Sequence, residues 1–126
     1  MAKINKKILI VEDEEALLSA LREKFTSEGF SVVTALDGED GLTAAEKEKP
    51  DLILLDIVMP KVDGIAMAQK LKEAGSNVPI IFLTNLDDIK HISDALEISK
   101  SDYLVKSNWN LNDIVEKVKK RLGAAE

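Results

Sequence analysis

The stretch from Asp51 to Asp56 constrains the fold of this chain more than any other. Four apolar residues in a row, Leu52 to Leu55, stand between two aspartates. A run this short, without polar alternation, is typical of a strand covered on both faces, as in parallel sheets. Pro60 follows closely and cannot donate to a sheet ladder. The sequence therefore predicts that the strand ends at Asp56 and holds a carboxylate at its carboxyl-terminal tip.

Further apolar runs alternate with helical patterns along the chain. They predict strands at 8–11, 31–35, 79–83 and 103–105, each followed by a helix. Gly29 and Gly75 are placed to end the first and third helices. Asp37-Gly38 is typical of a turn in which Asp37 can cap the second helix, and Asn110 is placed to cap the last one. Strand–helix alternation predicts an α/β fold: a doubly wound five-stranded parallel sheet in the flavodoxin-like order 2-1-3-4-5, with helices on both faces.

Composition narrows the classes of protein to consider. The chain has 126 residues, enough for one domain, and 45% of them are hydrophobic. A net charge of −6 argues against binding nucleic acid or an anionic membrane through bulk electrostatics. The absence of cysteine excludes disulfides and thiolate metal sites. No apolar run reaches the length of a membrane span or of a signal-peptide core, so we expect a cytoplasmic protein with no membrane contact.

Polar residues follow four of the five predicted strands. Because parallel strands end at one edge of the sheet, we expect these residues to meet there: Glu12 and Asp13, Asp56, Thr84, and Lys106. Two like charges about 4 Å apart cost on the order of 4 kcal/mol at an effective dielectric near 20. Lys106 supplies only one positive charge against three carboxylates. A divalent cation held by oxygen ligands would offset the rest, which suits Mg²⁺ or, as an alternative, Mn²⁺.

The hypothesis for function follows from this edge. Asp56 is the candidate nucleophile, which accepts a phosphoryl group as an acyl phosphate. Lys106 pairs with a phosphoryl oxygen as a point charge, and Thr84 offers its hydroxyl to another. The candidate metal ligands are Glu12, Asp13, Asp56 and the carbonyl of Val58.

These residues resemble the receiver domain of bacterial two-component response regulators, close in layout to the single-domain chemotaxis regulator. The matching positions are Ile8 to Asp13, Asp56 with Met59-Pro60 and Asp63-Gly64, Thr84, Tyr103 and Lys106. The resemblance covers about residues 6–122 and implies a single receiver domain over 1–126 without an output domain. It implies phosphotransfer to Asp56 from a histidine kinase, a phosphotransfer protein or a small phosphodonor. It also implies a protein that catalyses only its own phosphorylation and dephosphorylation, and is otherwise no enzyme.

The resemblance further implies a switch. Thr84 moves toward the phosphate and Tyr103 turns inward, which changes the surface of the fourth helix, fifth strand and fifth helix, about Asp87 to Leu122. That surface would control an unknown downstream protein, relay phosphate onward, or form a phosphorylation-dependent dimer. For both switch residues, a structural role at a strand end is the alternative.

Several positions depart from the family pattern or favour rivals. Ser107 follows Lys106 where most relatives have proline. The sequence therefore does not predict how the 106–110 loop is placed. Val58 and Leu86 are apolar and cannot orient an attacking water, so we predict a long-lived phosphoryl group.

A phosphatase of the haloacid-dehalogenase type would need a second aspartate at Val58. A receiver-like module that takes no phosphate is the other rival. Flavin binding has little support, since no phosphate-cradling loop follows strand 1.

Overall fold

The computed structural model describes residues 4–57, 59, 62–84, 102–105 and 110–123, with the backbone alone for 84, 102, 103 and 105. Its elements are β1 (Lys7–Val11), α1 (Glu15–Ser27), β2 (Ser31–Ala35), α2 (Gly38–Glu48), β3 (Leu52–Asp56), α3 (Gly64–Glu73), β4 (Ile80–Thr84), β5 (Asp102–Val105) and a C-terminal helix (Leu111–Leu122). The predicted helix that begins near Asp87 lies outside the described residues. Within these ranges, no helix is long and apolar enough to cross a lipid bilayer.

The five strands form one parallel sheet in the order β2-β1-β3-β4-β5. This is the order predicted from the sequence, and the α/β fold class is confirmed. The fourth strand ends at Thr84, where the sequence predicted its end, and Thr84 pairs with Val105 of β5. The reversal of strand order falls between β1 and β3, so the ends of these two strands border the crevice where open α/β sheets bind ligands.

Each face of the sheet is covered by its own hydrophobic cluster. Alternate residues of the central strands point to opposite faces. Ile8, Ile10, Leu52 and Leu54 pack with residues of α1 and the C-terminal helix. Leu9, Val11, Ile53 and Leu55 pack with residues of α2 and α3. All eight side chains are fully buried, which explains why the central strands are apolar without alternation.

Three of the helices begin at side-chain caps. Asp37 accepts a hydrogen bond from the backbone N–H of Asp40 at 2.8 Å, and Asp63 accepts one from Ala66 at 2.8 Å. The predicted cap Asn110 is confirmed, and it forms a reciprocal capping box with Asp113. Asp37 and Asp63 follow β2 and β3, so the caps start α2 and α3 directly at the carboxyl edge of the sheet.

Candidate acidic site at the carboxyl edge of the sheet

Three carboxylates meet at the ends of two neighbouring strands. Glu12 and Asp13 follow β1, and Asp56 is the last residue of β3. The two strands pair up to Val11 and Leu55. As a result, one carboxylate oxygen from each of the three residues lies within 4.8 Å of the other two. The structure thus brings together the acidic side chains that the sequence analysis selected.

The three carboxylates differ in exposure. Glu12 is fully buried and Asp56 is 4% exposed, whereas Asp13 is exposed. The backbone N–H of Glu14 donates to Oε2 of Glu12 at 3.1 Å, which fixes the orientation of this carboxylate. The acidic site is therefore open to solvent on the Asp13 side and closed beneath by Glu12 and Asp56.

The donor set fits a hard divalent cation. The three side chains that converge offer only carboxylate oxygens, the ligand type that Mg²⁺ and Mn²⁺ prefer. An exposed Asp13 leaves room for water, and Mg²⁺ usually keeps several waters when few carboxylates bind it. Glu12, Asp13 and Asp56 are thus the described residues that could hold such an ion.

The chain that follows β3 is anchored closely to the strand end. Ile57 and Met59 are buried, and the N–H of Gly64 donates to the carbonyl of Ile57 at 2.8 Å. A Cβ added to Gly64 would clash with the carbonyl oxygen of Asp56 and would lie 2.9 Å from Cα of Ile57. Only glycine fits here without displacing backbone, so the start of α3 lies directly against the residue that carries the candidate nucleophile.

A second close backbone contact was missed by the sequence analysis. Gly38, the first residue of α2, lies so near to Val62 that an added Cβ would clash with the Val62 carbonyl oxygen. The sequence indicated a turn at Asp37-Gly38 and a helix cap at Asp37, but no contact with Val62. The signal that could have revealed the contact was a glycine in a helical first turn, where other residues are better helix formers.

The remaining predicted site residues are described in part or not at all. Thr84 follows Leu83, the β4 partner of Asp56, so its backbone ends the neighbouring strand at the same edge. Tyr103 is in β5 and pairs with Phe82. The side chains of Thr84 and Tyr103 lie outside what the structure describes. Lys106, Val58, Leu86 and Ser107 lie outside the described residues altogether, so their roles stay predictions.

Sequence comparisons identify relatives over most of the chain. The profile of the family described as response regulator receiver domain matches residues 8–119. The alkaline phosphatase synthesis transcriptional regulatory protein PhoP of Bacillus subtilis is 43% identical over 103 residues, which are 82% of this chain and 43% of that protein. The transcriptional regulatory protein PcoR of Escherichia coli is 36% identical over 119 residues, 94% of this chain and 52% of that protein. The chain thus spans about half or less of the length of these relatives.

Solved structures of similar fold cover nearly the whole chain. The receiver domain of the Francisella response regulator 1452 superposes with a TM-score of 0.86 at 26% identity, covering 97% of this chain and all of that one. A CheY-like response regulator receiver domain protein from Methanospirillum hungatei JF-1 superposes with a TM-score of 0.81 at 28% identity, covering 95% of both chains. The fold of this chain is therefore shared with these receiver domains.

Proposed function

The chain belongs to the response regulator receiver domain family of two-component systems, and we propose that it is a phosphoacceptor switch with Asp56 as the acceptor. One observation carries the proposal: Asp56 ends a buried central strand, and its carboxylate lies beside those of Glu12 and Asp13. A rigid strand end holds the nucleophile in place, and the exposed Asp13 leaves access from solvent.

In the proposed reaction, an oxygen of the Asp56 carboxylate attacks phosphorus. A bond between that oxygen and phosphorus forms while the bond from phosphorus to the nitrogen or oxygen of the donor breaks, and the donor leaves with the electron pair. Bound Mg²⁺ would screen the negative charge of the carboxylates and the phosphoryl oxygens. Glu12, Asp13 and Asp56 would hold it, together with the predicted carbonyl of Val58.

Residues from the neighbouring strands complete the proposal. We assign Lys106 to one phosphoryl oxygen as a positive partner and the Thr84 hydroxyl to another. The end of β4 beside β3 supports the assignment of Thr84. Phosphorylation gives Thr84 a charge-assisted acceptor, and Tyr103 then turns inward, which couples Asp56 to the surface that includes β5 and the C-terminal helix.

The proposed partners are a histidine kinase or a phosphotransfer protein upstream and a protein target downstream. Phosphorylation would control the binding of that target, a relay of phosphate, or dimerisation through the surface of the predicted fourth helix, β5 and the C-terminal helix. The names of PhoP and PcoR describe transcriptional regulators. The net charge of −6 supports a receiver that does not itself contact DNA.

A further expectation belongs to the proposal. The chain would catalyse only its own phosphorylation and dephosphorylation, with no turnover of another substrate.

Phosphorylation with a small phosphodonor tests the proposal directly. Incubation with acetyl phosphate and Mg²⁺ should add one phosphoryl group to the wild-type protein, as measured by intact mass, and EDTA should prevent it. Asp56→Asn should abolish the gain. Asp51→Asn is the matched control, because Asp51 precedes the same strand at its opposite end, where its carboxylate accepts a hydrogen bond from the N–H of Lys7 at 2.7 Å.

The same assay separates the rival functions. A receiver-like interaction module would gain no phosphoryl group with or without Mg²⁺, and that result would refute the proposal. Label that persists in Asp56→Asn would assign the acceptor to another residue. Release of inorganic phosphate at many turnovers per protein would instead indicate a phosphatase.

A further inference from the structure

The first turn of α2 approaches the chain after β3 more closely than a side chain would allow. A Cβ on Gly38 would clash with the Val62 carbonyl oxygen and would lie 2.8 Å from the Val62 carbonyl carbon and 2.9 Å from its Cβ. Gly38 is not among the glycines with positive φ in the described part of the chain. Glycine is therefore required here by the approach of another backbone and not by its own backbone conformation.

Val62 lies in the segment that joins the end of β3 to α3, of which the structure describes Ile57, Met59, Val62 and Asp63. We call these four residues the β3–α3 segment. Val62 packs against the hydrophobic cluster that also contains Ile57 and Met59. The next residue, Asp63, caps α3, and α3 begins with Gly64 against the backbone of Asp56. A series of close contacts thus leads from α2 to the acidic site.

We propose that Gly38 is a positioning residue for the acidic site, because its missing side chain lets α2 close on Val62 and hold the β3–α3 segment against Asp56. This inference rests on the proposed function only in taking Mg²⁺ as the ligand of that site. An added methyl group would meet a carbonyl that belongs to a capped, packed segment, so the segment and not a flexible side chain would have to move.

Gly41 provides a matched control within the same helix. A Cβ on Gly41 would meet Sδ and Cε of Met67 at 2.9 and 3.1 Å and Cγ2 of Val11 at 3.1 Å. These are side-chain atoms, and methionine adapts its conformation readily. Gly38→Ala and Gly41→Ala therefore add the same group to one helix, but only the first presses on backbone that leads to Asp56. Alanine is the better helix former at both positions.

The experiment measures Mg²⁺ affinity and the state of the metal-free protein separately. We expect Gly38→Ala to raise the Kd for Mg²⁺ by about tenfold, as measured by NMR titration of the Asp13 and Asp56 amides, which is typical when a group that supports metal ligands is altered. In the metal-free protein, the amide resonances of Ile57 and Gly64 should shift in Gly38→Ala. Gly41→Ala should keep the Kd within about twofold, although its melting temperature can change.

The possible outcomes distinguish this inference from the proposed function. If the wild-type protein does not bind Mg²⁺, the proposed function is contradicted. If the wild-type protein binds Mg²⁺, two results would overturn the positioning role. One is an unchanged Kd in Gly38→Ala, and the other is an equal rise in Kd in Gly38→Ala and Gly41→Ala. If Gly38→Ala does not fold, Val62→Ala tests the same segment from the other side. It keeps the carbonyl and Cβ that face Gly38 but removes the methyl groups that pack Val62 against the hydrophobic cluster. An unchanged Kd in Val62→Ala would then overturn the inference, and a raised one would support it.

Discussion

Asp13 is the exposed member of the acidic site, and its charge acts on two buried carboxylates. Its carboxylate approaches those of Glu12 and Asp56 within 4.8 Å. Like charges at this separation repel, and the buried members are less screened than exposed ones. The site therefore holds a repulsion that a bound cation would relieve, and Asp13 is the member that can be neutralised without placing an altered group in the core.

Asp13→Asn should stabilise the metal-free protein and weaken its response to Mg²⁺. In EDTA we expect the free energy of unfolding to rise by about 1 kcal/mol. This is well below the repulsion of about 4 kcal/mol between two like charges at about 4 Å, because Asp13 is exposed. With Mg²⁺ present, the free energy of unfolding of the wild-type protein should rise to that of the variant or above it. The variant should gain less from Mg²⁺, since it lacks one ligand. Urea unfolding with and without Mg²⁺ measures both effects.

Glu15→Gln is the control for that measurement. Glu15 is also exposed and lies in the first turn of α1, but it is not part of the carboxylate group. Its neutralisation should leave the Mg²⁺ response unchanged and slightly lower stability, because an acidic side chain in the first turn complements the helix dipole. A gain in EDTA equal to that of Asp13→Asn would show that overall charge, and not the acidic site, is responsible.

Among the helices, α1 and the C-terminal helix are joined by a partly buried ion pair. Nζ of Lys119 lies 2.7 Å from Oε1 of Glu28, the C-cap residue directly after α1, and Nζ of Lys24 lies 3.3 Å from Oε2. The hydrogen bond from Lys119 is the main cause that lowers the pKa of Glu28, with Lys24 contributing. The pair spans 91 residues of sequence, so it constrains how the two helices pack.

Glu28→Gln should lower the free energy of unfolding by about 0.5–1 kcal/mol at pH 7, the upper part of the range for surface pairs. A lowered pKa means that Glu28 ionises more readily in the folded protein than in the unfolded chain. The contribution of Glu28 is thus complete above the ordinary pKa of 4.5 and is lost as the pH falls through the lower folded value. The difference between variant and wild type should shrink over that range in urea unfolding.

Glu116→Gln tests whether the helix-to-helix contact matters. Glu116 also lies near Lys119, at 3.8 Å, but within the same helix and with 70% of its side chain exposed. We expect a change below about 0.3 kcal/mol at any pH. An equal loss in both variants would contradict a specific role for the pair between α1 and the C-terminal helix.

The capping box at Asn110 sets where the C-terminal helix begins. The side chain of Asn110 accepts from the N–H of Asp113 at 2.9 Å, and the Asp113 carboxylate accepts from the N–H of Asn110 at 3.4 Å. Asn110→Ala should therefore cost about 1 kcal/mol of unfolding free energy in thermal or urea unfolding. Asn110→Ser keeps a capping oxygen and should lose much less, and equal losses would show that the cap contributes little.

For the whole molecule, the sequence predicted the sheet because its signals are local. Five apolar runs, the helical spacing between them and the caps at Asp37 and Asn110 each act within about ten residues. The strand order then follows from general rules for parallel sheets. The position of Glu12, Asp13 and Asp56 at one edge follows from that order, and so the acidic group could also be predicted.

What could not be predicted depends on contacts between distant segments. The glycine in the first turn of α2 indicates a close approach at Gly38 but does not identify Val62 as its partner. The ion pair of Glu28 with Lys119 has no local signature, because either residue alone is ordinary for its element. The complete burial of Glu12 is similar, since a glutamate is seldom buried unless it is partnered. These features depend on the exact distance between packed elements, which the periodicity of apolar residues does not specify.

A cation bound at the acidic site should stabilise the whole domain, since the three carboxylates come together only in the folded protein. At free Mg²⁺ a hundred times its Kd, the gain in unfolding free energy should be about 2.7 kcal/mol, and EDTA should reverse it. NaCl at equal ionic strength is the first control, because salt also screens the net charge of −6. Asp56→Asn is the second, because it removes one ligand and should reduce the gain. If NaCl stabilised the wild type as much, or Asp56→Asn responded as fully, Mg²⁺ would be acting by general screening, and the site would not be a metal centre.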